Sequence, residues 1–175
     1  DAARQGAAVR GGYYVDQFHA AEGVQAHRDT TGPEIWEQCS GRVNAWVAAV
    51  GTGATFLGVA AALRERNSGV LCAAVEPDGC RPLAGLPVTK PRHLVQGTSY
   101  GSVPPHWDGS LMDLSLPVTD EEVGHWRRLL ATREGLHVGY SAAANVCAAA
   151  SLLASGRLPA DATVATVLCD TGLKY

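Results

Sequence analysis

The strongest constraint on the fold is an apolar run that ends in a glycine-rich turn. Residues 43–50 read Val-Asn-Ala-Trp-Val-Ala-Ala-Val, with too few polar positions for a strand that has one face in water. Residues 51–55 (Gly-Thr-Gly-Ala-Thr) follow directly, residues 56–66 have helical apolar spacing, and residues 70–75 form a second apolar run. This order predicts a strand–turn–helix–strand unit within a parallel sheet.

The rest of the chain contains further helix and strand signals. Thr31 and Glu34 have the spacing of a capping box, which predicts a helix that begins at Thr31 and ends near Cys39. Thr119 and Glu122 repeat that spacing. The remaining predictions are short strands at residues 13–15, 93–96, 112–116 and 163–168, and helices at residues 119–133 and 142–154. Together they predict one α/β domain without an internal boundary, in which a mostly parallel open sheet has helices on both faces.

Composition excludes several classes of protein. The 175 residues carry a net charge of −3 without a basic stripe, which argues against nucleic acid as a partner. No apolar run reaches the roughly 18 residues that a membrane span requires, so no membrane partner is expected. The five cysteines and six histidines do not fall at metal-ligand spacing, so no metal site is predicted. Scattered, odd-numbered cysteines indicate a reducing compartment, and the protein is expected in the cytoplasm.

The glycine turn, residues 51–55, is a candidate site for a phosphate group. Its glycines let the backbone approach a ligand closely, and the start of the following helix adds N–H donors and positive potential. The candidate phosphate-binding residues are Gly51, Thr52, Gly53, Ala54 and Thr55. Such a turn alone is equally compatible with a connection that is glycine-rich only for packing. Its position after a buried strand favours a ligand site, because open α/β sheets bind ligands there.

A dinucleotide site is the competing interpretation of the same turn. Gly51 and Gly53 begin the dinucleotide fingerprint, and Glu76 lies at the end of the next predicted strand. Phe56, however, occupies the position of the third glycine, where a bulky ring would hold the helix away from the strand. The dinucleotide interpretation therefore ranks second.

Two histidine-containing segments are interpreted as structural. His19 and His27 are eight residues apart in a polar stretch, a spacing that does not place them on one helix turn, so they are expected to be surface or loop residues. His106, Trp107 and Asp108 lie in a segment rich in proline and glycine. A turn with a packed indole is the expectation for that segment.

Several phrases of the sequence occur in an order typical of one enzyme family. They are residues 14–18 (YVDQF), 30–36 (TTGPEIW), 51–55 (GTGAT), 75–77 (VEP), 93–97 (HLVQG), 134–135 (EG) with 139–141 (GYS), and 170–175 (DTGLKY). In this order they resemble the cysteine synthase family of pyridoxal-phosphate (PLP) enzymes of fold type II. The resemblance implies a partial tryptophan synthase β-like PLP fold over residues 1–175.

The resemblance also implies a function and site residues. The expected activity is PLP-dependent β-replacement, with an activated serine and sulfide, or β-elimination, on a small-molecule amino-acid substrate. The glycine turn corresponds to the loop for the PLP phosphate, Ser141 to the serine that hydrogen-bonds the pyridine nitrogen, and Gln17 to a glutamine near the substrate carboxylate. Members are commonly dimers, so a homodimer, or pairing with a missing N-terminal segment, is expected.

The sequence departs from the family pattern at several positions. Ala54 stands where the family usually has glycine, and residues 97–101 differ from the usual glycine-rich loop. The family's Schiff-base lysine lies in an N-terminal segment, and neither of the two lysines here, Lys90 and Lys174, matches its position. The chain is therefore expected to be a C-terminal PLP-binding portion with no catalytic residue of its own. A non-catalytic PLP-binding or regulatory protein is the alternative.

Overall fold

A sheet of parallel strands forms the centre of the computed structural model, which describes residues 2–175. The strands are β1 (Ala45–Ala49), β2 (Leu71–Pro77), β3 (Leu114–Val118) and β4 (Val164–Thr166). Their order across the sheet is β3-β2-β1-β4, and each neighbouring pair is parallel. The sheet is open, with β3 and β4 at its edges, which confirms the predicted fold class.

Helices cover both faces of this sheet. The helix α1 (Ala2–Arg10) has no buried residue, and the helices on the two faces are α2 (Ala21–Asp29), α3 (Thr31–Gln38), α4 (Ala54–Arg66), α5 (Asp120–Arg133) and α6 (Tyr140–Ala154). One apolar cluster joins the sheet to α5 and α6, and a second joins the opposite face to α4, with α2 and α3 packed outside it. Because both faces are covered, the strands lack the polar alternation of a half-exposed sheet.

The alternation of side chains along β1 explains how the sheet meets both layers. Ala45 and Val47 belong to the cluster with α5 and α6, whereas Trp46 and Ala48 belong to the cluster with α4. The Trp46 side chain is fully buried, and its indole N–H donates to the carbonyl oxygen of Phe56 at 3.3 Å. This bond joins β1 to the first turn of α4, next to the glycine turn.

Close approach of α2 and α3 to α4 depends on small residues. A Cβ atom at Gly58 would clash with the carbonyl oxygen of Val24 and lie 2.7 Å from the Cβ of His27. A Cβ atom at Gly32 would clash with the Cβ of Ala62. Since neither glycine has a side chain, the backbones of α2 and α3 can lie directly on α4. His27 is thereby brought to the start of α4.

Several local predictions were wrong. Residues 13–15 and 93–96 do not form strands, because neither segment has a neighbouring strand to pair with. Tyr13, for example, is 86% exposed. The helix α2 was not predicted, since its sequence is mostly polar and Val24 is its main apolar contact with the core. These elements depend on tertiary packing, which overrides weak local signals.

The two predicted capping boxes had different outcomes. At Thr119 the capping box is present: its hydroxyl accepts from the backbone N–H of Glu122, and the Glu122 carboxylate accepts from the backbone N–H of Thr119. The capping box predicted at Thr31 is absent, because Thr31 is the first residue of α3 and no side chain among residues 2–175 caps that helix, whereas the predicted helix itself is present. The Thr31 hydroxyl instead contacts His27.

Candidate functional site

The glycine turn lies at the carboxyl end of β1 and leads into α4. Gly53 has φ of +94°, a left-handed conformation that residues with a side chain rarely adopt. At Gly51, an added Cβ would lie 2.6 Å from the carbonyl oxygen of Gly97. One glycine is therefore required by backbone conformation and the other by close approach of the 97–101 segment.

The first turn of α4 presents unpaired N–H donors. Its N-cap is Gly53, which has no side chain to cap the helix, and the N–H of Ala54 donates to the Thr52 hydroxyl oxygen at 3.3 Å. Within residues 2–175, no side chain accepts from the N–H of Thr55 or Phe56. Free N–H groups at the positive end of a helix dipole form a site for an anion.

A cavity of about 340 Å³ opens at this helix end, and we call it the turn cavity. It is lined by Gln17, Ala49, Gly51, Thr52, Gly53, Thr55, Phe56, Gly97 and Tyr100. The structure thus brings Gln17 together with most of the predicted phosphate-binding residues. Ala54 does not line the turn cavity: it is buried and borders a neighbouring cavity of about 550 Å³.

Ser141 lies at the same end of the sheet as the turn cavity, although it does not line it. It is in the first turn of α6, where its side chain is buried. One turn further on, the Asn145 amide accepts from the N–H of Ala49 at 2.7 Å and donates to the carbonyl oxygen of Val167 at 2.9 Å. These bonds hold the start of α6 beside the carboxyl ends of β1 and β4.

His27 was interpreted as a surface or loop residue, and the structure shows it as a half-buried residue of α2 that contacts the site. Its Nε2 lies 3.0 Å from the hydroxyl oxygen of Thr55, which lines the turn cavity, and its Nδ1 lies 2.9 Å from that of Thr31. Burial lowers the pKa of His27 below its ordinary value, so the ring is held in the neutral form. Sequence spacing could not reveal this contact, because the two partners of the ring lie on different helices.

The segment 97–101 covers one side of the turn cavity. The N–H of Ser99 donates to the carbonyl oxygen of Val50 at 2.9 Å, which fixes the segment to the end of β1. Ser99 itself has φ of +45°, an uncommon conformation for a residue with a side chain. The neighbouring Tyr100 places its ring in the cavity wall, with an edge-on contact to Phe18 at 5.5 Å between ring centroids. No sequence pattern had indicated a site role for Tyr100.

Neither lysine of the chain reaches the turn cavity. The Nζ of Lys90 forms an ion pair with the Asp120 carboxylate at 2.6 Å, at the start of α5. Lys174 lies in the 3₁₀ turn Gly172–Lys174 near the end of the chain. Among the residues that the structure describes, the cavity lining therefore contains no amine.

Glu76 argues against the dinucleotide interpretation. Its side chain is fully buried, and its carboxylate accepts from the N–H of Leu83 at 2.9 Å and from the Ser115 hydroxyl at 2.6 Å. A carboxylate that fixes two chain segments in the interior is not placed to bind a ribose. Phe56, at the position of the third glycine, is buried against Trp107, with 5.3 Å between ring centroids. The packed indole at Trp107 agrees with the expectation for that segment.

Residues 2–175 contain no cluster of three or more His, Cys, Asp or Glu side chains that could hold a metal ion. In the same part of the chain, no helix is long and apolar enough to cross a membrane.

Comparisons with known sequences point to one family. The family described as "Pyridoxal-phosphate dependent enzyme" matches residues 1–170. Cysteine synthase 2 of Schizosaccharomyces pombe is 33% identical over 94% of this chain and 45% of its own length. Cysteine synthase B of Escherichia coli is 31% identical over 94% of this chain and 50% of its own length. The chain thus spans about half the length of the curated relatives it matches.

Solved structures of similar fold include enzymes named after serine derivatives. An O-acetylserine dependent cystathionine beta-synthase from Helicobacter pylori has a TM-score of 0.82 and 31% identity, over 94% of this chain and 52% of its own. An O-ureido-L-serine synthase has a TM-score of 0.88 and 31% identity, over 98% of this chain and 53% of its own. The parallel sheet and its two helical layers are therefore shared with enzymes of this kind.

Proposed function

Because this chain belongs to the family of pyridoxal-phosphate dependent enzymes, we propose that it forms the phosphate-binding half of a cysteine synthase-like enzyme. The proposed activity is β-replacement, in which an activated serine reacts with sulfide, or β-elimination. Both belong to amino-acid metabolism, and cysteine biosynthesis is the role that the names of the relatives favour. The observation that carries the proposal is the turn cavity, where glycine backbone, helix N–H groups and hydroxyls converge.

The turn cavity has the donor set that a phosphate monoester requires. Gly51 and Gly53 line the turn cavity with backbone atoms, and the N–H groups of Thr55 and Phe56 point from the positive end of α4. The Thr52 and Thr55 hydroxyls add donors that can rotate toward a phosphate oxygen. We therefore assign these residues to the PLP phosphate. Ala54 contributes through its small volume, since its side chain faces away from the turn cavity.

Ser141 and Gln17 would act at the other parts of the bound cofactor and substrate. When bound, PLP supplies an electron sink that allows the α proton and the β substituent of an amino acid to leave. Ser141 would hold the pyridine nitrogen with a neutral hydroxyl, which leaves that nitrogen largely unprotonated. Gln17, in the wall of the turn cavity, would donate its amide N–H to the substrate carboxylate.

The lysine that carries the cofactor is proposed to lie outside these 175 residues. Lys90 is held in an ion pair at the start of α5, and Lys174 does not match the family position. No residue of this chain is therefore assigned as catalytic. The second candidate is a protein that binds PLP in the turn cavity for regulation and does not turn over substrate.

The proposal also covers the oligomeric state and the cellular compartment. We expect a homodimer, or pairing with a segment that supplies the lysine. We also expect the cytoplasm, because the chain's cysteines are free thiols in the structure and such thiols persist in reducing compartments.

Binding measurements with two cofactor forms test the proposal. The chain is titrated with PLP and with pyridoxine 5′-phosphate, which has the phosphate but no aldehyde, and PLP-treated protein is reduced with borohydride and mapped by peptide mass. We expect both ligands to bind with similar Kd and no stoichiometric lysine label. Stoichiometric labelling of Lys90 or Lys174 would contradict the assignment of the lysine. Tight NAD binding without any response to PLP would contradict the whole proposal.

A further inference from the structure

The His27 ring connects three helices through two hydroxyl groups. Its Nδ1 is 2.9 Å from Thr31 Oγ1 on α3, and its Nε2 is 3.0 Å from Thr55 Oγ1 on α4. Thr55 is half-buried and lines the turn cavity. The ring therefore lies directly behind one of the hydroxyls assigned to the phosphate.

The neutral form of the ring makes this arrangement directional. A neutral imidazole has one N–H donor and one acceptor nitrogen, whereas a hydroxyl has one hydrogen and can also accept. If Nδ1 carries the hydrogen, Nε2 must accept the hydrogen of Thr55, and only the lone pairs of Thr55 Oγ1 face the cavity. If Nε2 carries the hydrogen, it donates to Thr55 Oγ1, and the hydrogen of Thr55 is free to point into the cavity. Thr31 must then donate to Nδ1.

A phosphate ester distinguishes these two arrangements because its oxygens only accept hydrogen bonds at neutral pH. We propose that His27 is a positioning residue for the cofactor phosphate: the Thr31 hydroxyl donates to Nδ1, Nε2–H donates to Thr55 Oγ1, and the Thr55 hydroxyl donates to a phosphate oxygen. We call this chain of hydrogen bonds the threonine–histidine relay. It rests on the proposed function, since it requires the phosphate to occupy the turn cavity.

Helix packing holds the relay in place before any ligand binds. Gly58 on α4 allows the backbone of α2 to approach so closely that a Cβ there would lie 2.7 Å from the Cβ of His27. The ring is thus fixed by contact between two helices and does not depend on a flexible loop. A donor that is already oriented loses little conformational entropy on binding.

The tautomer of His27 can be observed directly. We would record long-range ¹H–¹⁵N spectra of the ¹⁵N-labelled chain with and without pyridoxine 5′-phosphate, and assign the His27 signals from their absence in His27→Gln. The relay predicts that the bound chain has the Nε2–H form. Binding with the Nδ1–H form dominant would overturn it, because Thr55 would then have no hydrogen for the phosphate.

Variants of neighbouring threonines give a matched affinity test. Thr31→Val removes the donor to Nδ1, and we expect pyridoxine 5′-phosphate to bind about three- to tenfold more weakly, the range of one net hydrogen bond. Thr30→Val is the control, because the Thr30 hydroxyl donates to the carbonyl oxygen of Ala26, outside the relay. Equal affinities for the two variants would overturn the relay.

A third variant separates the relay from a general packing role. In His27→Gln, the side-chain amide can donate to Thr55 Oγ1 without help from Thr31, so we expect an affinity within about twofold of the unsubstituted chain. In that background Thr31→Val should have no further effect, whereas a packing role would leave its effect unchanged. If the unsubstituted chain binds neither PLP nor pyridoxine 5′-phosphate, the proposed function fails and the relay fails with it. If the chain binds both and the threonine variants behave alike, only the relay fails.

Discussion

Thr31 and Thr119 begin stretches with the same Thr-x-x-Glu spacing, and the structure uses them differently. Thr119 and Glu122 exchange backbone and side-chain hydrogen bonds and cap α5. Thr31 is the first residue of α3, one position after the N-cap, and its hydroxyl contacts His27. The same local pattern therefore stabilises a helix in one place and supports the candidate site in the other. The difference arises from α2, whose backbone brings a histidine within reach of Thr31.

A variant that disturbs the packing of α2 on α4 should have the largest effect on the contact between Thr31 and His27. Gly58→Ala places a Cβ against the Val24 carbonyl and the His27 side chain, so α2 must move away from α4. We expect a loss of about 1–3 kcal/mol in the free energy of unfolding, together with weaker binding of pyridoxine 5′-phosphate. Urea denaturation and ligand titration measure the two effects. Gly124→Ala is the control, since a Cβ there has only an ordinary contact at 3.7 Å with Arg128. If Gly58→Ala binds pyridoxine 5′-phosphate with unchanged affinity, the position of α2 does not contribute to the site.

The two threonines should affect different properties when replaced. Thr119→Ala removes a helix cap, and we expect a loss of about 1 kcal/mol in the free energy of unfolding without a change in phosphate affinity. Thr31→Val should have a smaller effect on unfolding, because no cap is lost, but should weaken phosphate binding. Both quantities are measured for both variants. If Thr119→Ala weakens phosphate binding, or if Thr31→Val lowers the free energy of unfolding more than Thr119→Ala does, the two threonines do not have these different roles.

Replacing the glutamates of the two Thr-x-x-Glu patterns should change the free energy of unfolding by smaller and unequal amounts. The Glu122 carboxylate accepts from both the N–H and the hydroxyl of Thr119 at 2.8 Å. Glu122→Gln should reduce the free energy of unfolding by about 0.5–1 kcal/mol. Glu34 is exposed and belongs to no capping box, so we expect Glu34→Gln to change it by less than about 0.5 kcal/mol. Thermal unfolding compares the two variants, and equal losses would imply that Glu34 also supports a helix start.

The pH dependence of stability gives the smallest expected effect. Because burial lowers the pKa of His27 from 6.5, the unfolded chain takes up this proton first as the pH falls. Stability from the neutral ring should therefore be present above about pH 6.5 and decline as the pH falls toward the lowered pKa of His27. His27→Gln removes the titrating group, so its stability should fall less over that range. An identical pH profile for both chains would contradict a lowered pKa of the half-buried His27.

Much of the fold around β1 could be predicted from the sequence. The apolar run before Gly51 and the helical spacing after it are local signals, and the structure bears them out in β1, α4 and β2. The capping box at Thr119 is equally local. By contrast, α2 was missed because its helical form depends on Gly58 and on the contact of Val24 with the core. No pattern within a short window contains that information.

The residues of the candidate site also fall into those that local sequence indicates and those that only the tertiary structure brings together. Gly51 and Gly53 could be proposed as phosphate-binding residues from the turn alone, whereas the proposed roles of Ser141 and Gln17 came only from the family resemblance. His27 was interpreted as a surface or loop residue because it lies in a polar stretch, eight residues from His19. Its contact with Thr55 joins residues 28 positions apart in the chain, so no local pattern indicated it. The spacing of His27 and Thr31, four residues apart, was the available signal. This spacing alone does not indicate a site, because the contact of His27 with Thr55 depends on how α2 and α4 pack.

A crystal structure of the chain with pyridoxine 5′-phosphate tests the central claim most directly. The account predicts phosphate oxygens within hydrogen-bond distance of the Thr52 and Thr55 hydroxyls and of the first N–H groups of α4, with the pyridine ring directed toward Ser141. A phosphate bound elsewhere on the chain, with the turn cavity empty, would contradict the assignment of the glycine turn.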